Sequence, residues 1–133
     1  MAVRIVRLGD PRAPGEGVRL GTVRFLPRGV PKKEYASRNY FDLWFPLLAP
    51  SRETVKEAQA ADNDRDWAKF VRKYRKEMAA AEPRAVLDLL AFLSHGSNLS
   101  VGCYCADESR CHRSVLRDLL AERGAKISLP RET

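Results

Sequence analysis

Cysteine and histidine are scarce in this chain, and nearly all of them lie in one short stretch. The 133 residues include three cysteines and two histidines, and no cysteine precedes Cys103. Cys103, Cys105, Cys111 and His112 fall within ten residues. This arrangement excludes the network of disulfides that stabilises small secreted domains, and it favours reduced thiols with a chemical role.

Long apolar runs are missing as well. No stretch of about 18 consecutive apolar residues occurs, so no membrane-spanning helix is expected. The segment from Met1 to Leu8 alternates arginine with apolar residues and lacks the continuous apolar stretch of a secretory signal. We therefore expect a cytoplasmic protein with no membrane partner.

Positive charge is in excess along the chain. Lys and Arg number 24 against 17 Asp and Glu, which gives a formal net charge of +7. Such a surface favours anionic partners, namely an anionic small molecule, a nucleotide or nucleic acid. The positive charges are dispersed, however, and an arginine-rich composition alone produces the same excess.

The hydrophobic pattern predicts strands that alternate with helices. Strands are predicted over residues 2–8, 18–25, 99–103 and 125–129, with an extended segment within 40–50. Trp44 in this segment belongs either to the core, which we favour, or to the wall of a pocket. Helices are predicted over 32–38, 52–60, 65–78, 83–93 and 113–123, and Ser51 and Asp64 are the expected caps of the second and third. We expect a single α/β domain over residues 1–133, with a central, mostly parallel sheet flanked by helices.

The loop that follows the 99–103 strand is the expected site, because ligands in such folds bind at the carboxyl ends of the strands. A thiolate is the first chemistry that it suggests. Cys111 falls at a predicted helix start, whose amide groups and dipole stabilise a thiolate. Arg110, Arg113 and a protonated His112 would add positive charge around it.

Metal binding is the second chemistry. Cys103, Cys105, Cys111 and His112 are four soft ligands, which is enough for tetrahedral zinc. Their spacing does not match the usual pairs of zinc ligands, and the adjacent residues Cys111 and His112 should diverge on a helix. We therefore predict no metal and no other cofactor.

An anion site without covalent chemistry is the third alternative. A helix start that carries Arg110, His112 and Arg113 can bind phosphate or carboxylate. Arg24 and Arg28, at the end of the 18–25 strand, are expected to converge on the same edge of the sheet.

Structural roles compete with these three chemistries. Cys103, at the end of a core strand, can serve as a small buried apolar residue. His112 can serve only to satisfy a loop carbonyl.

Three segments of the sequence occur together in an informative order. They are RFLPRG at 24–29, YFDLWFPLLAPS at 40–51 with WAKF at 67–70 and YRKEM at 74–78, and Cys103 with Cys111-His112-Arg113. On these segments the chain resembles the YeaO-like branch of the family called domain of unknown function 488. The resemblance spans nearly the whole chain.

The resemblance implies positions for the family's signature residues. Its Cys-His-Arg signature falls on Cys111, His112 and Arg113, its upstream cysteine on Cys103, and its arginine–proline–arginine–glycine turn on Arg24, Pro27, Arg28 and Gly29. Cys105 looks like an addition of this sequence, which weakens any scheme that needs it. The resemblance implies the fold and the site, and it implies no established activity.

We therefore expect one site where the 24–29 turn meets the 103–113 loop. Its anion-binding residues are Arg24, Arg28, Arg110 and Arg113. His112 is the expected proton donor or acceptor, because the pKa of an imidazole lies nearest neutral. Cys111 or Cys103 is the nucleophile if the protein is an enzyme.

The alternative function is a nucleic-acid or nucleotide-binding module without catalysis. It is supported by one positively charged helix face, which carries Lys69, Arg72, Lys73 and Lys76.

Overall fold

The computed structural model describes residues 1–105 and 111–128, and its described strands form a parallel sheet. The strands are β1 (Val3–Arg7), β2 (Val18–Gly21), β3 (Leu43–Trp44), β4 (Leu99–Cys103) and β5 (Ile127–Ser128). Their order is β3-β2-β4-β1-β5, and every pairing is parallel. The α/β fold class is confirmed, and β4 lies at the centre of the sheet.

The described helices are α1 (Arg52–Ala60), α2 (Asp64–Met78), α3 (Ala81–Leu93) and α4 (His112–Glu122). Two short 3-10 helices span Lys32–Glu34 and Pro46–Leu48. Ser51 caps α1 as predicted, because its side chain accepts a hydrogen bond from the amide of Thr54. The predicted cap of α2 was wrong by one residue, since Asn63 accepts the bond from Asp66 and Asp64 is already helical.

Other boundaries also differ from the sequence-based expectations. The strand expected over 18–25 ends at Gly21, because both the amide and the hydroxyl of Thr22 donate to the carbonyl of Gly102 as the chain leaves the sheet. The helix expected over 32–38 is a single 3-10 turn, Lys32–Glu34. Trp44, expected in the core, is 44% exposed on the edge strand, and its indole N–H donates to Val23.

The main core lies between one face of the sheet and α2, α3 and α4. Alternate strand residues such as Val3, Leu99 and Val101 pack there against Phe70 and Leu116. The alternation follows from the pleat, which sends successive side chains to opposite faces of a strand. A second, smaller cluster combines Leu8, Val23, Phe41, Cys103 and Cys111 at the carboxyl edge.

A buried ion pair lies on the opposite face of the sheet. The guanidinium of Arg19 donates two hydrogen bonds to the carboxylate of Glu16, and Ser100 donates a third. Burial alone would raise the pKa of Glu16, but the hydrogen bonds from Arg19, Ser100 and the Ala13 amide hold it below its ordinary value. These contacts anchor the 10–17 turn to the sheet.

None of the helices in residues 1–105 and 111–128 has the length and apolar character that crossing a bilayer requires.

Candidate functional site

The two cysteines expected at the site meet at the carboxyl edge of the sheet. Cys103 is the last residue of β4, and Cys111 immediately precedes α4. Both are 1% exposed, and a disulfide joins them. The expectation that all three thiols are reduced is therefore wrong for this state of the protein. Cys105 lies outside the disulfide and is exposed.

Cys111 and His112 converge although they are neighbours in sequence. Cys111 has an extended backbone (φ −127°, ψ 147°) and caps α4, so it does not share the helical geometry of His112. The sulfur atoms of Cys103 and Cys111 and one ring nitrogen of His112 all lie within 4.8 Å of one another. The expectation that Cys111 and His112 diverge assumed that both are helical, and it was wrong for that reason.

His112 is held by the chain that leaves β2. Its Nε2 donates to the carbonyl oxygen of Thr22 over 2.6 Å, since a carbonyl can only accept. Its ring also packs nearly perpendicular to the ring of Tyr74, with the ring centroids 5.7 Å apart. Burial lowers the pKa of His112 to about 4, with a smaller contribution from the nearby charge of Arg113 and against the effect of the Thr22 bond. The imidazole is therefore neutral at physiological pH, with its proton on Nε2 and a lone pair on Nδ1.

A cavity of about 280 Å³ opens onto this cluster. Cys103, Cys111 and His112 line one part of it, and Val55 and Ala58 of α1 line another. Most of the remaining wall is also apolar, so a bound molecule would be partly withdrawn from water. A charge inside such a space interacts more strongly with its neighbours than it would in solution.

A larger cavity of about 690 Å³ adjoins the first. The two share four lining residues, which are Phe25, Val55, Gln59 and Tyr104. Three cations line the larger cavity, namely Arg28, Arg52 and Lys56. We call these three residues the cationic mouth. The thiol cluster and the cationic mouth therefore lie in adjoining cavities that share part of their wall.

Arg24 lines the smaller cavity with its guanidinium bound to the protein itself. Nε donates to the carbonyl of Pro50, and Nη2 donates to the carbonyls of Pro46 and Ala49. These bonds hold the segment before α1 against the end of β2. Arg24 therefore stabilises the wall of the cavity through these hydrogen bonds.

The structure does not bring Arg113 to Arg28. Arg113 is buried and lines a separate cavity beside β1, whereas its neighbour His112 lines the thiol cavity. Arg110 lies outside the described residues, so its expected role stays a prediction.

Sequence reasoning missed Arg52 and Lys56 of the cationic mouth. They lie four residues apart on α1, so they share a helix face with Val55. The cap at Ser51 and this spacing were visible in the sequence. The sequence does not show that α1 lies near the carboxyl end of β4, where Val55 and Ala58 line the same cavity as Cys103.

The basic face of α2 is exposed as the sequence predicted. Lys69, Arg72, Lys73 and Lys76 all lie on the surface, and Lys73 pairs with Glu57. Nucleic-acid binding by this face stays a prediction.

The parallel sheet and its helices define an α/β protein. Its candidate site lies at the carboxyl edge, where a cysteine ends the central strand and Cys-His-Arg stands at the start of the next helix. The family model DUF488-N3a, described as the active DUF488-N3 subclade, matches residues 3–124. The chain belongs to the DUF488 family, which confirms the family resemblance, while the YeaO-like branch stays a prediction. No curated protein and no solved structure matches the chain significantly.

Proposed function

We propose that the chain binds an anionic small molecule across the two adjoining cavities and acts on it with a cysteine thiol. The anionic group, a phosphate or a carboxylate, binds at the cationic mouth. The rest of the molecule extends toward Cys103 and Cys111. The observation that carries the proposal is that a cavity lined by these cysteines and His112 shares four lining residues with a cavity lined by three cations.

The surroundings of Arg28 and Arg52 suit an anion. No carboxylate lines either of the adjoining cavities among the described residues. The guanidinium carbon of Arg52 lies over the ring of Phe25, 5.6 Å from the ring centroid, which is a cation–π contact. This contact positions the charge of Arg52 at the cavity. The description of the matching subclade as active also supports an enzyme.

Cys111 is the better placed nucleophile of the pair. It caps α4, so the amide groups of the first helical turn favour its thiolate form. Cys103, at the end of β4, is the partner that forms the disulfide with it. An external dithiol first reduces this disulfide, giving two electrons and two protons to the pair and becoming a disulfide itself.

The covalent step then uses His112 as a base. The proton of the Cys111 thiol passes to Nδ1 of His112 while Sγ forms a bond to an electrophilic atom of the bound molecule. The leaving group departs with the electron pair of the broken bond and takes the proton from His112. The Thr22 carbonyl holds Nε2–H throughout and keeps the ring oriented.

Two alkylating probes test this function directly. Iodoacetate carries a carboxylate and iodoacetamide does not, and both transfer a carbon to sulfur with loss of iodide. In the reduced chain we expect Cys111 to prefer iodoacetate, relative to the preference of glutathione for the same pair. Arg28→Gln should reduce this preference about fivefold, since one exposed charge contact is worth on the order of 1 kcal/mol.

Lys76→Gln is the matched control, because it removes one positive charge from the exposed surface of α2. It should leave the preference unchanged. Equal probe preferences for Cys111 and glutathione, or an equal loss in Lys76→Gln, would contradict the proposed function.

Metal binding in the reduced state is a second candidate function. The sulfurs of Cys103 and Cys111 and a nitrogen of His112 lie within 4.8 Å of one another. A neutral histidine whose other nitrogen donates to a carbonyl is also typical of metal ligands.

Zinc titration against a chromophoric chelator separates this candidate from the first. The reduced chain should bind one equivalent and release two thiol protons, and the disulfide form should bind none at this cluster. Cys111→Ser should abolish binding, whereas Cys105→Ser is the control and should retain it. A reduced chain that takes up no zinc rules out the second candidate.

A further inference from the structure

The wall that the two adjoining cavities have in common is largely aromatic. Among the described residues it consists of Phe25, Val55, Gln59 and Tyr104, which are two aromatic side chains, one aliphatic side chain and one amide. We call these four residues the shared wall. A molecule that reaches from the cationic mouth to the thiols passes along it. The shared wall therefore contacts the part of the molecule that lies between its anionic group and the thiols.

Phe25 offers an open apolar surface at this wall. It is 46% exposed, and the next residue, Leu26, is 41% exposed and lines the larger cavity. Large apolar side chains that remain exposed together at a cavity are typical of ligand-binding surfaces. The guanidinium carbon of Arg52 lies 5.6 Å from the centroid of the Phe25 ring. One ligand can therefore contact an aromatic ring and a positive charge at the same time.

Tyr104 is held in place on the same wall. Its hydroxyl donates to the carbonyl oxygen of Phe25 over 2.9 Å, and its ring lies at 69° to the ring of Tyr40 with the centroids 6.3 Å apart. Burial raises the pKa of Tyr104, with smaller contributions from Tyr35 and Tyr40, so the phenol is neutral at physiological pH. An aromatic surface that is fixed before binding loses little conformational entropy when a ligand arrives.

Gln59 is the amide of the shared wall. It is exposed on α1, four residues after Val55 and on the same helix face. A carboxamide both donates and accepts hydrogen bonds, and glutamine pairs in this way with the polar edge of a nucleobase. An aliphatic chain would leave both the aromatic rings and this amide unused. The shared wall therefore suits a heteroaromatic ring, which has apolar faces and a polar edge.

We propose that the bound molecule is a nucleotide, with its phosphate at the cationic mouth and its base on the shared wall. This inference rests on the proposed function, because it names the substrate class of that same site. The base lies against Phe25 and Tyr104, and its polar edge forms hydrogen bonds with Gln59. The larger cavity, at about 690 Å³, falls within the range of about 300–1,000 Å³ that is typical of small-molecule sites.

Calorimetric titration of the reduced chain tests the proposal. Adenosine monophosphate and cytidine monophosphate are compared with ribose phosphate, which carries the same anionic group without a base. We expect at least one of the nucleotides to bind about tenfold more tightly than ribose phosphate, as expected for one stacked base. Phe25→Leu keeps an apolar side chain but removes the ring, so it should reduce this advantage about fivefold.

Phe92→Leu is the matched control, because Phe92 is 79% exposed on α3 and lines neither of the two cavities. It should leave the advantage of the nucleotide unchanged. Gln59→Ala provides a second variant in case Phe25→Leu unfolds the chain, since Gln59 is exposed and its loss should be tolerated. It should weaken the binding of the nucleotide and leave the binding of ribose phosphate unchanged.

Ribose phosphate separates this inference from the proposed function. If ribose phosphate binds, Arg28→Gln weakens it and neither nucleotide binds more tightly, the nucleotide is overturned while the anion site at the cationic mouth stands. If none of the three compounds binds, both are contradicted. Equal losses of nucleotide affinity in Phe25→Leu and Phe92→Leu would also overturn the inference.

Discussion

His112 donates a hydrogen bond from Nε2 to the carbonyl oxygen of Thr22 over a distance of 2.6 Å. The bond joins the first residue of α4 to the residue that follows β2, so it holds the helix start against the carboxyl edge of the sheet. It also fixes the tautomer of the imidazole, with the lone pair on Nδ1. One contact thus serves both the fold and the proposed proton transfer.

Two substitutions at His112 should separate these roles. His112→Leu leaves the buried Thr22 carbonyl without a donor and should lower the free energy of unfolding by about 1–3 kcal/mol. His112→Gln retains an amide donor and should cost less. Both should slow the alkylation of Cys111 by iodoacetate, because both remove the base. Urea unfolding and alkylation rates measure the two effects, and an unchanged rate in both variants would contradict the role of His112 as base.

Arg24 and Arg28 should differ in what their substitution changes. Arg24→Gln breaks the hydrogen bonds to Pro46, Ala49 and Pro50, and should lower the free energy of unfolding by about 2–3 kcal/mol. Arg28→Gln removes an exposed side chain and should stay within about 0.5 kcal/mol of the original protein. Urea unfolding of the two variants measures this difference, and similar losses would refute the distinction.

Glu16 should control stability in a pH-dependent way. Glu16→Gln leaves the charge of buried Arg19 uncompensated, which should cost about 3–5 kcal/mol at neutral pH. Because the folded pKa of Glu16 lies below its ordinary value of 4.5, the unfolded chain takes up this proton at higher pH than the folded chain does. The stability that Glu16 contributes is therefore complete above pH 4.5 and is lost as the pH falls through the folded pKa.

Urea titrations of both chains over a series of pH values measure this contribution. The stability difference between the original protein and Glu16→Gln should narrow as the pH falls below 4.5. A difference that is constant across that range would show that the pKa of Glu16 is not lowered by folding.

Gly102 should resist the addition of a single methyl group. A Cβ at this position would lie 2.5 Å from the carbonyl oxygen of Val6, on the neighbouring strand β1. Gly102→Ala should therefore cost about 1–3 kcal/mol through overpacking. Gly96→Ala is the matched control, because nothing lies within 4 Å of its added Cβ. Thermal unfolding compares the two, and equal stabilities would show that the strands separate easily.

Nucleic-acid binding by α2 should be visible as a salt effect. If Arg72 and Lys76 contact phosphates, the affinity for a single-stranded oligonucleotide should fall steeply as the salt concentration rises. In the double variant that carries Arg72→Gln and Lys76→Gln, the affinity should depend less steeply on salt concentration. Filter binding at several salt concentrations measures both. An absence of binding at low salt eliminates this function for the chain.

The parts of the fold with strong periodicity were predictable from the sequence. β4 and α4 were expected within a residue of where they lie, because alternation and the spacing of Val115, Leu116 and Leu119 are local signals. The end of β2 was not predictable, since Thr22 leaves the sheet through contacts with Gly102, a residue 80 positions away.

The candidate site was predictable in its location and only partly in its members. Cys103, Cys111 and His112 do meet at the end of β4. Whether Cys111 precedes the helix or begins it depends on one residue, and such boundaries are the least certain feature of a sequence. That residue decides whether the side chains of Cys111 and His112 converge or diverge. Arg52 and Lys56 reach the site through tertiary packing, which local patterns do not contain.

The most direct test of the account is protection of Cys111 by an anion. The rate at which iodoacetamide alkylates Cys111 in the reduced chain is measured with increasing pyrophosphate, and mass mapping identifies the alkylated residue. Because this probe is uncharged, pyrophosphate does not compete with it for the cations. Bound pyrophosphate slows the reaction by occupying the space beside the thiol or by disfavouring the thiolate with its negative charge, and both effects require the anion to lie next to the thiol. We predict saturable protection of Cys111 in the original chain and weaker protection in Arg28→Gln. A Cys111 rate that pyrophosphate does not change would contradict the claim that the cationic mouth holds an anion next to the thiol.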